Sequence, residues 1–364
     1  MAFSFKKILS SLNPAGGSTS AVGIDIGSSS AKVVELEWTG EFAKLCTYGE
    51  LQLGPYADQD LGQVVSLSGE QQTEALVDVL RESQVSVRKG ITAIPLSSSF
   101  VTIITVGTNG DADALANRVP VEAKKYIPLP LNKIALDWSE LPAVAAADDD
   151  PATTDLLLVA IENAVLQRYQ QLRQAVGMAN QPAELESFSL IRALAAEVSG
   201  SIALIDCGAS ATKLYIVHDG SLVRLHRFNG GGERITHRLA ELLSVPFAEA
   251  EVVKRTTSSG SPQPDIERAT QSVLSDPLHE FARALQAYEA QSGESIGRVF
   301  LSGGVANAPS VRTLARTVLN REAEVPNPFA RVAYPAFMED TLTEIAPSFG
   351  VSLGAALRLL QTET

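Results

Sequence analysis

From Ala21 onward, short runs that are wholly apolar or alternate polar with apolar give way to segments with a helical repeat. The runs AVGIDIG, AKVVELEW, FAKLCTYGELQL, GITAIPL, FVTIITV, KIALDWSEL and DLLLVAI predict strands. Between and after them, EQQTEALVDVLRES, NRVPVEAKKYI, NAVLQRYQQLRQAVG and SFSLIRALAAEV predict helices. The pattern then restarts. SIALIDCGAS, TKLYIV and SLVRLHRF read as three strands, followed by helices around ERITHRLAELL, FAEAEVVKR and DIERATQSVLSDPLHEFARALQAYEAQ. A strand, RVFLSGG, leads to the helix SVRTLARTVLN, and the helix SLGAALRLLQ comes last. Strands and helices in this order predict an α/β protein with mixed sheets.

The restart carries a repeated motif. IDIGSSSAKVVEL near the N-terminus and IDCGASATKLYIV half a chain later both read Ile-Asp-x-Gly-x-Ser-x-x-Lys. The matching residues are Ile24, Asp25, Gly27, Ser29 and Lys32, and then Ile205, Asp206, Gly208, Ser210 and Lys213. A repeat at this spacing is domain-sized, well beyond the period of a solenoid, and predicts two similar domains facing each other. Each copy reads as strand, tight turn, strand. The small residues Ser28, Ser29 and Ser30, and Ala209 with Ser210, leave turn amides pointing outward, a concavity that suits phosphate. The lysine adds a compact positive charge. The aspartates would repel phosphate, so Asp25 and Asp206 are candidates to hold a hydrated Mg2+ between carboxylate and phosphate oxygens. The alternative is a pair of ordinary hairpins whose Asp caps the turn, but identical spacing in two copies favours phosphate binding. Gly303 and Gly304, in FLSGGVANAPS, are placed to let backbone approach a flat base or sugar, or else they merely end a strand.

Composition narrows the partners. The chain has 364 residues and a formal net charge of −13, so a nucleic-acid partner, which needs a basic surface, is not expected. No apolar run approaches the roughly 20 residues needed to span a bilayer, and MAFSFKKILSSLNP lacks the apolar core of a signal peptide. Two cysteines, Cys46 and Cys207, give neither a metal spacing nor a disulfide framework, and cytosolic residence is the simplest expectation. Residues 1–12 form a short basic amphipathic stretch of the kind that rests on an anionic membrane or a partner, set against a leader that touches nothing. The AVAAADDDPATT segment reads as a solvated loop.

With these motifs in order, the chain resembles the actin, sugar-kinase and heat-shock-chaperone ATPase superfamily. The resemblance implies ATP with Mg2+ as ligand, an actin-like fold of two similar domains flanking a nucleotide cleft, and five-stranded mixed sheets. It makes Asp25 to Lys32 the first phosphate loop, Asp206 to Lys213 the second, and LSGGVANAPSV, with Gly303, Gly304 and Asn307, the adenosine motif. LESFSLIRALA resembles the first connecting helix, which gives Glu186 the place of the acid that orients the metal's water; by local reading alone it caps a helix. PFAEAEVVKRTTSS is similar to the chaperone segment that cups adenosine, through Glu251, Lys254 and Arg255, and Gly231 and Gly232 of GGGERIT join the binding set. SFGVSLGAALR is similar to the second connecting helix.

Within the superfamily the phrases GIDIGSSSAKVVEL, EAKKYIPLPLNKIALDWSEL, GGGERITHRLAELLSVPFAEAEVVK and EVPNPF resemble PilM-like type IV pilus assembly proteins. That likeness implies a cytoplasmic scaffold at the inner membrane that grips the N-terminal tail of a PilN-like membrane protein and couples pilus motor ATPases to the platform. It divides the chain into a leader (1–20), a first domain (21–199) with an FtsA-like inserted subdomain (97–153), a second domain (200–345) with a helical subdomain (about 234–295), and a returning C-terminal helix (346–364). Filament formation of the FtsA type, or a slow ATPase or small-molecule kinase, are the competing readings. Ala209 and Ser210 replace glycines of the chaperone loop, and Asn307 replaces an arginine that stacks on the base, so hydrolysis is expected to be slow. Tyr126 and Trp138 are candidates to line a partner groove, set against ordinary core packing. The four histidines show no ligand spacing.

Overall fold

The computed structural model describes residues 20–107, 112–142, 153–178, 183–256 and 263–360. Residues 1–19 of the expected leader and the acidic loop with Asp148, Asp149 and Asp150 lie outside the described residues.

The restart in the sequence is a restart in topology. In the first half, β1 (Ser20–Ile26), β2 (Ser30–Trp38) and β3 (Ala43–Gln52) form an antiparallel meander. β4 (Gly90–Ile94) then pairs parallel with β1, and the two-residue β8 (Glu184–Leu185) pairs parallel with β4. The second half repeats this with β9 (Ser201–Cys207), β10 (Ala211–His218) and β11 (Ser221–Asn229) as the meander, and β12 (Arg298–Ser302) and β13 (Glu322–Glu324) as the parallel strands. The strand orders, β3-β2-β1-β4-β8 and β11-β10-β9-β12-β13, are the same. Both sheets are therefore mixed and five-stranded.

Helices cover the sheets as the periodicity predicts. In the first half they are α1 (Gly69–Glu82), α2 (Ala112–Ala123), α3 (Asn163–Ala175) and α4 (Glu186–Leu194). The second half contributes α5 (Gly232–Leu243), α6 (Phe247–Thr256), α7 (Pro264–Ser292), α8 (Pro309–Leu319), α9 (Glu339–Ile345) and α10 (Gly350–Leu360). α1 opens with a capping box in which Ser68 and Gln71 satisfy each other's backbone amides. α2 starts earlier than its expected NRVPVEAKKYI segment and ends at Ala123.

A third sheet, order β5-β7-β6, is built from β5 (Ser99–Gly107), β6 (Ile134–Glu140) and β7 (Thr153–Glu162). One face carries Ile104, Leu156 and Leu158 against Val119 and Ala123 of α2 in a separate small core. Alternation along β7 sends Leu157, Val159 and Ile161 to the opposite face, into the main core. That main core runs continuously from Ile24, Ile94 and Phe188 in the first half to Leu204, Tyr215 and Phe300 in the second. The two halves are welded by apolar burial as well as by polar contacts across the cleft.

The C-terminal helix α10 returns to the first sheet and lies against β1 and α4 with almost no space between backbones. A Cβ on Gly23 of β1 would sit 1.9 Å from the Ser352 carbonyl oxygen, and one on Gly354 would sit 1.8 Å from that of Ser189. Neither position can carry a side chain without moving a helix. Arg192 of α4 clasps the join: it donates to the Gly354 carbonyl at 3.0 Å and pairs with the buried Glu184 carboxylate at 2.5 Å. We expect Gly354→Ala to lower stability by about 1–3 kcal/mol through overpacking. Gly297→Ala, where a Cβ meets nothing within 4 Å, is the control and should leave the denaturation midpoint unchanged.

Candidate functional site

Each repeated motif folds as expected into strand, turn, strand, and the register explains why its acid and its lysine recur together. Asp25 is the cross-strand partner of Lys32, and Asp206 that of Lys213. Partners directly opposite in an antiparallel pair project from the same face, so each lysine begins beside its aspartate.

The turns match in detail. Gly27 N–H donates to the Ser30 carbonyl and Gly208 N–H to that of Ala211, both at 3.0 Å. In each half the segment after the third strand stitches down the turn's carbonyls. Leu53 and Val65 donate to Ser29 and Ser28, while Gly230 and Glu233 donate to Ser210 and Ala209. With the carbonyls engaged, the amides of Ser28, Ser29, Ala209 and Ser210 have no acceptor among the described residues. Four outward N–H groups on two turns make a pair of anion-binding nests. Gly231 and Gly303 permit the close packing around the second turn, since a Cβ on either would lie within 2.3 Å of a carbonyl oxygen of Gly208 or Cys207.

The two lysines then part company. β3 sets Glu50 opposite Lys32, and the Lys32 ammonium turns to it at 3.3 Å and to the Ser30 hydroxyl at 2.5 Å. β11 sets Arg227 opposite Lys213, which offers no acceptor. Lys213 instead donates to Asp206 at 3.0 Å and, across the gap between the halves, to Glu186 at 2.9 Å. Burial works against the Lys213 charge, but Glu186 and Asp206 outweigh it and hold the ammonium well above its usual range. Glu186 itself is the first residue of α4, and the same Oε1 atom also accepts the Leu96 N–H at 2.7 Å.

Asp25 is left without a hydrogen-bond donor among the described residues. Burial pushes its carboxyl up to about 6, Lys32 and Lys213 pull it down, and Glu186 and Asp206 add to the rise. That charges from both halves act on one carboxyl means the two loops converge. The Tyr215 hydroxyl, two residues along β10 from Lys213, is fully buried there with no partner among the described residues.

The residues expected to cup adenosine lie beside the second loop, with their polar atoms already committed. The buried Glu251 accepts from Thr236 at 2.5 Å, Lys254 at 2.6 Å and Arg255 at 2.7 Å. Burial pushes its carboxyl up, yet Lys254, Thr236 and Arg255 outweigh it and hold it below its ordinary value. Lys254 also donates to the Gly232 carbonyl and Arg255 reaches Gln52 of β3. Glu233 accepts the Val64 N–H at 2.8 Å, a second tie between the halves at the cleft mouth. Beside these residues lies a small open pocket lined by Ile235, Lys254, Ile266, Thr270, Val305 and Pro309 among others. Its largely apolar walls suit the face of a flat ligand. Gly303 and Gly304 lie at the turn leading to Val305, and a Cβ on Gly304 would meet nothing within 4 Å. Asn307 is held back by its own bond to the Glu344 carbonyl at 2.6 Å.

No preformed cage for Mg2+ stands at Asp25 and Asp206 among the described residues. Asp206 and the neighbouring Glu186 already share the Lys213 ammonium, and no group of three His, Cys, Asp or Glu suited to a metal occurs among the described residues. Sequence reasoning found both acids but not where the lysine would go. The signal was the residue opposite each lysine on the third strand, acidic in one copy and basic in the other.

In the groove region, Trp138 packs partly buried against the small core of the third sheet, whereas Tyr126 is exposed together with Val121 and Leu129. No helix among the described residues is long and apolar enough to cross a membrane.

Comparison with known proteins agrees with the duplicated topology. The family model for type IV pilus assembly protein PilM matches residues 23–360. Among solved structures, a PilM–PilN type IV pilus biogenesis complex superposes with a TM-score of 0.77 at 23% identity, covering 93% of this chain and 98% of the other. The ethanolamine utilization protein EutJ of Carboxydothermus hydrogenoformans gives 0.57 at 15% identity, with 95% and 91% covered. MreB5 of Spiroplasma citri, bound to ADP, gives 0.53 at 10%, with 93% and 95% covered. The fold is that of the actin-like ATPases.

The Asp25 environment makes a signed prediction. Its folded pKa of about 6 exceeds the ordinary 3.8, so its ionised form is disfavoured by folding. The penalty is absent below the unfolded value, grows as pH rises, and is complete above the folded one. Asp25→Asn should therefore stabilise the ligand-free protein at neutral pH by roughly 1–3 kcal/mol, and the gain should fade toward pH 4. Denaturant titrations at several pH values measure it; a variant less stable at neutral pH than the parent would refute it.

Proposed function

The chain belongs to the type IV pilus assembly protein PilM family, and from that premise we propose that it is a nucleotide-binding scaffold of the pilus assembly platform. The observation that carries the nucleotide half is the convergence of two matched turns, each presenting open amides and a lysine, on a single half-buried acid. Such turns receive phosphates from both sides, while the adjoining apolar cleft receives the base. ATP is the ligand we assign. The phosphates would rest on Gly27 to Ser30 with Lys32, and on Gly208 to Ser210 with Lys213; the nucleoside would lie by Gly232, Lys254, Gly303 and Gly304.

The same geometry speaks against rapid turnover. A water-orienting acid must present a free oxygen to the attacking water. Glu186 Oε1 is occupied by Leu96 and Lys213, which pins the carboxylate and leaves only Oε2 to face a water. Binding that sets a conformation, rather than catalysis, is the role these contacts support.

For the partner, a solved relative is a complex with PilN. We assign to this chain the cytoplasmic N-terminal tail of a PilN-like inner-membrane protein, received by the subdomain made of β5, β6, β7 and α2, with the scaffold held at the cytoplasmic face through that tail. The exposed apolar residues Val121, Tyr126 and Leu129 support that surface.

ATP should raise the melting temperature by mass action, and Lys32→Ala or Ser210→Pro, which removes an open amide, should cut the shift by more than half. No shift in the parent protein would overturn the nucleotide assignment. Turnover should lie well below the enzyme median of about 10 s−1, and brisk hydrolysis abolished by Glu186→Gln would favour an enzyme instead. A tail peptide from a co-encoded single-span membrane protein should bind with micromolar or better affinity and lose about tenfold in a Val121→Ala, Tyr126→Ala variant, which spares the core-packed Trp138. Unchanged affinity in that variant would move the partner elsewhere.

A further inference from the structure

We propose that Lys213 is a resident cation: its ammonium, held between Asp206 and Glu186, takes up one of the two aspartates expected to face a hydrated divalent ion, so the cleft binds a nucleoside triphosphate without requiring a divalent metal. This rests on the nucleotide reading above.

Magnesium demands six oxygen ligands in near-octahedral order and sheds its water reluctantly. Here the Lys213 nitrogen stands 2.9 Å from Glu186 and 3.0 Å from Asp206, with both side chains almost wholly buried. A divalent ion between those acids would have to expel the ammonium. Its retreat is closed, because Arg227 occupies the cross-strand position on β11 where Lys32 finds Glu50 in the other copy. Leaving a buried ammonium unpaired beside a new dication costs several kcal/mol.

The ammonium can also do what the metal would. It has three N–H donors in a cone, two of them spent on Asp206 and Glu186, and the third remains for a phosphate oxygen. Neutral donors complete the cradle through the amides of Ser28, Ser29, Ala209 and Ser210, which need no ion to bind phosphate. The first copy makes the contrast: its lysine has turned to Glu50 and Ser30, and Asp25 is left without a donor among the described residues.

The test is calorimetric titration of the full chain with ATP, once in excess EDTA and once in excess Mg2+. The two dissociation constants should agree within about threefold, and a loss of tenfold or more in EDTA would overturn the proposal. Lys213→Met keeps the length and removes the charge; it should weaken binding in EDTA at least about tenfold, with Mg2+ restoring most of it. A folded Lys213→Met protein with unchanged affinity in EDTA would also overturn it. Should that variant not fold, the wild-type comparison decides by itself. Absence of ATP binding in both media overturns the nucleotide reading and this proposal with it, whereas metal-dependent binding overturns this proposal only.

Discussion

A charged side chain inside a sheet must find an opposite charge within reach, and this molecule solves that problem twice with different results. Both copies start from an aspartate facing a lysine across a hairpin. What differs is the third strand. Glu50 draws Lys32 to the rim, and Arg227 leaves Lys213 to bridge the two halves through Glu186. From that single difference follow the bare Asp25, the crowded acid pair and the tie between domains. The duplication supplies a matched pair of turns with open amides; the third-strand residues make its two sides chemically unequal.

Much of this was legible in the sequence, because hairpins and their turns are local. Alternating runs such as AKVVELEW and TKLYIV are strands at their expected places, and the Asp-to-Lys spacing is the length of strand, turn and return that makes cross-strand partners. The elements that escaped are those with too few residues to show a period: β8 with two, β13 with three, and the seven-residue α9 between prolines. β8 matters despite its size, since it delivers Glu184 and Glu186 to the centre of the molecule.

The placement of the candidate residues was legible in the sequence and their bonding was not. Gly27, Gly208, Gly231 and Gly303 stand where the motifs put them, and Glu186 stands beside the second loop. Which donor each carboxylate would accept depended on residues far along the chain. Glu251 is the instructive case. Expected to face an adenosine, it is held by Lys254 and Arg255 three and four residues on, the spacing at which ion pairs form along one helix face. That pairing was visible in EVVKR, and it marks Glu251 as a brace for α6 and for the first half's Gly62 rather than an open ligand group.

The braces also decide how the cleft communicates with the rest of the fold. At the mouth, Gln52 with Arg255 and Val64 with Glu233 join the halves through exposed or half-buried hydrogen bonds, which exchange readily with water. At the base the join is buried and charged, and it runs through one atom. Glu186 Oε1 accepts Lys213 from the second half and the amide of Leu96 from the first. Leu96 stands three residues before β5, the strand that opens the third sheet. A carboxylate oxygen fixed by two donors cannot favour one without altering its hold on the other. The lysine of the second turn and the entry to the third sheet are thus held at a common point. Any contact that drew Lys213 away from Glu186 would therefore change the hold of the same oxygen on Leu96, at the entry to the third sheet.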